Sequence, residues 1–264
     1  MTYHSVLEHL ETVDTRLAAV EAPFRMAVQR VVRPDMTFRG YAGQISSGVI
    51  RPGDEVLAQP SGRRSRVERI VTYTGDLEAA HAPMSVTLTL ADEIDISRGD
   101  MLSAGPDPAS SRSIEATMVW VNSQPLDPAR HYLVKHASQM IPVRVESVDY
   151  RVNVNTLHAE PVNSLSMNEV GVVRLTAARP LFFDPYRENR GSGAFILIDR
   201  QTNATAAAGM IVAAAETGME SAADRLARLV RAVVPHGSHL NLPDEDEEAV
   251  AVVRDALKGL LRHD

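Results

Sequence analysis

The sequence predicts a mainly β protein with two tandem β-barrels and a C-terminal α-helical hairpin. Three observations carry this. Apolar residues recur at every second position over much of the chain, the mark of half-buried strands. Pro- and Gly-bearing turns separate these runs at short intervals, a spacing that favours closed barrels over an open sheet. Between Pro23 and Met210 no segment of ten or more residues carries helical periodicity, so parallel sheets with helical crossovers are not expected.

The first barrel is expected over residues 21–105. Phe24, Met26 and Val28 alternate with polar or small neighbours, Val86, Leu88 and Leu90 repeat the pattern, and Val67, Arg69, Val71 and Tyr73 give another run of period two. Arg51–Asp54, "RPGD", sets proline where φ is fixed and glycine where φ must be positive, which is type II turn chemistry. Pro60–Arg63, "PSGR", is a turn of similar kind. Proline, glycine and serine then crowd together in Ser103–Ser111, placing a linker at 106–113. The second barrel is expected over 114–213, from "IEATMVWV" through "IPVRVESVDYRV" and "VGVVRLTAA" to "GAFILIDR". The tail, 214–264, changes character. Leu226, Leu229, Val230 and Val233 share a helical face, and a second helix is expected from about Asp244, with Val250, Val253, Leu257, Leu260 and Leu261 inward. Acids open that second segment and Lys258, Arg262 and His263 close it, as the helix dipole favours. Two such short helices must pair with each other, with a barrel or with another chain, and packing within the chain is the expectation.

Composition removes several functions. Cysteine is absent, so disulfides, thiolate metal sites and cysteine nucleophiles are excluded. A formal charge of −7 argues against a general nucleic-acid surface. No run reaches the roughly 20 apolar residues of a membrane helix. The opening "MTYHSVLEHLETVD" lacks the basic start and apolar middle of a signal peptide, so a cytoplasmic location is expected. Lysine occurs only at Lys135 and Lys258, which makes arginine the principal cation for ion pairs and bidentate contacts.

Candidate chemistry is sparse. His236 and His239 in "HGSH" are a weak metal candidate against a polar turn, with no other ligand cluster nearby in sequence. Asp92, Glu93, Asp95 and Asp100 read best as a loop between strands, with Arg98 pairing to one of the acids and Gly99 making the turn. "GSG" at Gly191–Gly193 reads as a barrel hairpin. "FDPYRENR" offers Asp184, Tyr186, Asn189 and Arg190 either to a partner or to an internal bridge between strands with Tyr186 covering a barrel end. Arg39 and Tyr41, flanked by Gly40 and Gly43, form a second candidate contact surface. No catalytic residue and no cofactor is expected.

"FRGYAGQISSGVIRPGDEV", "SVTLTLADEIDISRGDML" and "PLFFDPYRENRGSGAFILIDRQTNATAAAGMI" resemble the second and third domains of the large subunit of bacterial sulfate adenylyltransferase, in the translation-factor GTPase superfamily that includes elongation factor Tu. The likeness runs from about Ser5 to Ile211, and Leu7–Asp14 is similar to the connector that leaves the GTPase domain, giving a connector helix over 1–20. The resemblance implies barrels like domains II and III of elongation factor Tu. It also implies a small catalytic subunit that transfers the adenylyl group while the large subunit hydrolyses GTP. The P-loop such hydrolysis needs, glycines followed by Gly-Lys-Ser/Thr, is not in this sequence, because Lys135 precedes His136 and Lys258 precedes Gly259. The expectation is therefore a non-catalytic scaffold of a sulfate-activation complex. It would dock the small subunit or a separate GTPase, and could form homo-oligomers through the tail. A stand-alone enzyme with a newly acquired site and a translation-factor-like RNA binder are the alternatives. The kinase that follows the third domain in some relatives also needs a P-loop and is not expected.

Overall fold

The computed structural model describes residues 17–215 except Met36 and Leu157. The tail expected over 216–264, with His236 and His239, and most of the connector over 1–20 lie outside the described residues. Of that connector, a short helix α1 (Leu17–Glu21) precedes the first strand.

The first barrel contains β1 (Phe24–Ala27), β2 (Arg30–Val32), β3 (Gly40–Ser47), β5 (Glu55–Gln59), β6 (Arg63–Thr72), β7 (Gly75–Leu77), β9 (Ser85–Leu90) and β10 (Met101–Ala104), with β4 (Val49–Ile50) and β8 (Ala80–His81) as a small ribbon. Neighbours run β1-β10-β5-β6-β9-β3, and β3 pairs back to β1 through Arg25↔Ser47 and Met26↔Ile45. Six antiparallel strands thereby close with no free edge. Inward positions supply the core: Phe24, Met26, Ile45, Val67, Ile70, Leu88 and Leu102 are buried. The Pro-Gly turn forms as its residues demand, with Gly53 at φ +91° and the Asp54 N–H bonding to the Arg51 carbonyl at 3.1 Å.

One phase differs from the sequence reading. Val67, Arg69, Val71 and Tyr73 do not share a face along β6, because the register against β9 shifts between Val67 and Arg69. A bulge adds one residue and inverts the alternation beyond it. Ile70 becomes the inward residue, Arg69 points outward to Asp76, and Tyr73 is fully exposed at the hairpin tip.

The second barrel contains β11 (Ala109–Trp120), β12 (Tyr132–His136), β13 (Gln139–Val152), β14 (Ala159–Glu160), β15 (Val170–Phe183), β16 (Ala194–Asp199) and β17 (Thr205–Ala214). Its order is β12-β16-β17-β11-β15-β13, closed by pairing of β13 with β12. Trp120 and Tyr132 meet edge to face at 5.9 Å in its core, beside Phe183 and Phe195. Each such buried side chain contributes about 1.5–3 kcal/mol of apolar burial. β11 begins at Ala109, inside the stretch expected as a linker, and its first residues pair with Leu181–Phe183. The Gly191–Gly193 stretch is not a hairpin turn. It forms the one-turn helix α2 (Arg190–Gly193), initiated by the Asn189 side chain, which accepts from the N–H groups of Gly191 and Ser192.

Candidate functional site

The second strand residue of the chain, Arg25, alternates with the core residues Phe24 and Met26 and should face solvent. Instead it is 1% exposed, because the second barrel covers it. Its guanidinium grips the Asp184 carboxylate with two nitrogens, Nε to Oδ2 at 3.1 Å and Nη2 to Oδ1 at 3.0 Å. The remaining donors reach the carbonyls of Phe24 at 3.0 Å, Ala104 at 3.3 Å and Pro106 at 2.7 Å. Planar bidentate pairing suits arginine, and satisfying every lone pair nearby is what makes a buried ion pair tolerable.

The carboxylate is held from its own side as well. Ser192 Oγ donates to Asp184 Oδ2 at 2.8 Å, and Asn189 Nδ2 donates to Ser47 Oγ of the first barrel at 2.9 Å. Ser47 in turn donates to the Pro23 carbonyl. Asn189 thus caps α2 with its oxygen and crosses the seam with its nitrogen. Close approach is permitted by Gly191, where an added Cβ would lie 2.6 Å from the Ser46 Cβ. Beneath α2, His136 is 3% exposed and its Nε2–H donates to the Ser192 carbonyl at 2.6 Å. Burial lowers the His136 pKa, so the neutral ring is the native form; the bond to Ser192 opposes that shift. A second contact joins the β12–β13 turn to the first barrel: Ser138 Oγ donates to the Val28 carbonyl at 2.8 Å, and the Gln139 amide donates to the Gly99 carbonyl.

The residues expected to meet a partner therefore separate into three groups. Asp184 and Asn189 belong to the interior of the seam, and the bridge that Asp184 makes is to Arg25 and not to Arg190. Tyr186 is half-buried with its N–H bonded to the Ile211 carbonyl, and Arg190 is exposed. Tyr41 is a core residue, 1% exposed, its hydroxyl donating to the Ile94 carbonyl at 2.8 Å. Its ring instead supports the Arg39 guanidinium 5.7 Å above it, which faces exposed Asp95 at 3.7 Å. Arg98 does not pair with an acid of its loop: it donates to the Gln29 carbonyl at 3.2 Å, while Asp92 accepts from Ser65 and Asp100 from the Ser97 N–H. Gly99 makes the expected turn at φ +102°.

Arg25, Ser47, His136, Gln139 and Ser192 escaped the sequence reading. Arg25 and Ser47 lie opposite each other on the outward face of their strands, and the second barrel buries them. His136 is on the inward side of β12 opposite Phe195 and bonds Ser192 of α2 within its own barrel, where a lone polar residue in an apolar phase gives no signal of its role. Among the described residues no group of three or more His, Asp or Glu side chains could hold a metal, and no helix is long and apolar enough to cross a membrane.

Residues 113–212 match the family described as "GTP-eEF1A C-terminal domain-like". The chain is 49% identical over 218 residues to a bifunctional enzyme CysN/CysC of Rhodopirellula baltica, covering 82% of this chain and 34% of that protein. It is 47% identical over 220 residues to sulfate adenylyltransferase subunit 1 of Chromobacterium violaceum, covering 83% and 46%. For the same-named protein of Bacteroides fragilis the identity is 47% over 210 residues, covering 79% and 44%. The crystal structure of Sup35 complexed with GMPPNP shares the fold at TM-score 0.69 and 17% identity, over 82% of this chain and 53% of that one. The chain is thus a relative of sulfate adenylyltransferase subunit 1, built on the paired barrels of translation-factor-like proteins and spanning about a third to a half of the length of those relatives.

Proposed function

We propose that the two barrels form a non-catalytic docking platform in a sulfate-activating assembly, engaging a small catalytic subunit that performs the adenylyl transfer. The observation that carries this reading is identity near one half to subunit 1 proteins over roughly four-fifths of the chain. The chemistry in hand agrees with it. The polar side chains that converge at the seam are consumed in holding the barrels together, which suits a body that positions a partner more than one that reacts. Exposed arginines at Arg98 and Arg190, with Arg39 braced on Tyr41, are the residues offered to that partner. Arginine serves such contacts through its fixed fork of donors.

The test is to measure sulfate-dependent pyrophosphate release by the small catalytic subunit with and without this chain, with GTP added in parallel, and to assay complex formation by co-purification. A complex that is lost on joint replacement of Arg39, Arg98 and Arg190 by Ala supports the platform. Absence of any complex and of any effect on turnover overturns it.

A further inference from the structure

The outward face of the second barrel is built as if something lies on it. A solvated antiparallel strand alternates apolar and polar residues, whereas a strand apolar on both sides is one covered on both sides. β16 is such a strand: Phe195 and Leu197 point into the core and Ile196 and Ile198 point out. β17 does the same, with Ile211 inward and Met210 and Val212 outward, Val212 being 42% exposed. Strand register makes these positions one surface. Leu133 of β12 lies opposite Ile198, Ile196 opposite Ala208, and Ala208 opposite Val119 of β11. Among the outward positions of β12, β16 and β17, Lys135 is the single charge.

We propose that this face is covered by the chain's own residues 220–234, "ESAADRLARLVRAVV". The argument starts from where the chain goes. β17 is itself part of the face and ends at Ala214, and the Ala215 N–H is still bonded to the Ser113 carbonyl at 2.8 Å. Four residues, Glu216–Met219, with a glycine among them, then separate the barrel from Glu220. That is a connection long enough to reverse direction. The following segment places Leu226, Leu229, Val230 and Val233 at helical spacing, an apolar stripe that needs a surface to lie on. The dimensions agree. Fifteen helical residues span about 22 Å, and the strands from β13 to β11 cross about 19 Å at roughly 4.8 Å per spacing. Tethering decides between this occupant and a separate molecule. A segment held by so short a linker competes at an effective concentration in the millimolar range, so a partner or second copy of similar contact chemistry is displaced at lower concentration. Lys135 keeps its charge in water by running its alkyl stem along the covered surface.

Absence of cysteine allows a direct test on the full chain. An Arg228→Cys variant carries one nitroxide label on the polar side of the segment, and methyl signals of Leu133, Ile196 and Ile198 are observed. The expected result is loss of those signals by paramagnetic broadening, with Leu88 and Leu102 of the first barrel keeping theirs. Adding Leu229→Asp and Val230→Asp should restore the lost signals while leaving the first barrel unchanged. Three outcomes overturn the proposal: no broadening in the labelled chain, broadening that survives the two aspartates, or broadening seen only when labelled and unlabelled chains are mixed, which assigns the face to a second copy.

Discussion

The two barrels close in the same way but finish their outward surfaces differently. On the first, strand β6 turns Arg63, Arg64, Arg66 and Arg69 to water, and acids meet two of them: Arg64 pairs with Glu55 at 3.0 Å and Arg69 with Asp76 at 2.7 Å. On the second, β16 and β17 turn isoleucine, methionine and valine outward. Only one charged residue relieves that surface. The seam differs from both, since there polar groups are buried and nearly all are given a partner, Ser103 Oγ and Gln139 Oε1 being the exceptions among the described residues. The contrast teaches that these strands have three kinds of neighbour, namely water, an apolar cover and the other barrel. Outward residue type follows which neighbour is present.

Cutting the seam should have the largest effect. Asp184→Ala leaves Arg25 buried without its carboxylate, a loss of about 3–5 kcal/mol, and equilibrium denaturation should show it. If the seam is what makes the barrels unfold together, fluorescence of Trp120 in the second barrel and a probe in the first should then give transitions that no longer coincide.

A second experiment uses pH. His136 is kept neutral by burial, so its folded pKa lies below the unfolded value near 6.5. The unfolded chain therefore binds more protons than the folded one between those two values, and stability falls as pH drops below about 6.5. For one proton the slope is at most about 1.4 kcal/mol per pH unit. His136→Gln keeps a donor for the Ser192 carbonyl and should flatten that part of the profile; an unchanged slope would assign it to other groups.

Smaller still is the cap. Asn189→Ala removes the acceptor for two N–H groups of α2 and should cost about 1 kcal/mol, up to about 2, with α2 amides exchanging faster. The smallest effect belongs to the first barrel's outer face: Arg69→Ala breaks an exposed pair, and thermal unfolding should be unmoved within error. A large effect there would mean that the arginine-bearing face is not simply solvated.

Elements specified by neighbouring residues were readable directly. The Arg51–Asp54 turn, the strands of both barrels and the turn at Gly99 depend on φ preferences and on alternation, which are properties of a few consecutive residues. The bulge in β6 was not readable, since it exists only relative to β9. Tyr41 shows the same limit from another side. An aromatic next to arginine and glycine suits a contact surface, and only closure of the barrel places its ring in the core with its hydroxyl on Ile94.

The sequence by itself determined a mainly β chain of two barrels, without cysteine chemistry and without a phosphate-binding lysine loop, because periodicity, turn residues and composition are local or summed quantities. Tertiary structure alone decided that Arg25, Asp184, Asn189 and Ser47 form one buried seam, with His136 supporting α2 from inside the second barrel. Alternation fixes which side of its own sheet a side chain leaves from. Whether water or a second barrel waits on that side depends on contacts between residues as far apart as 159 positions.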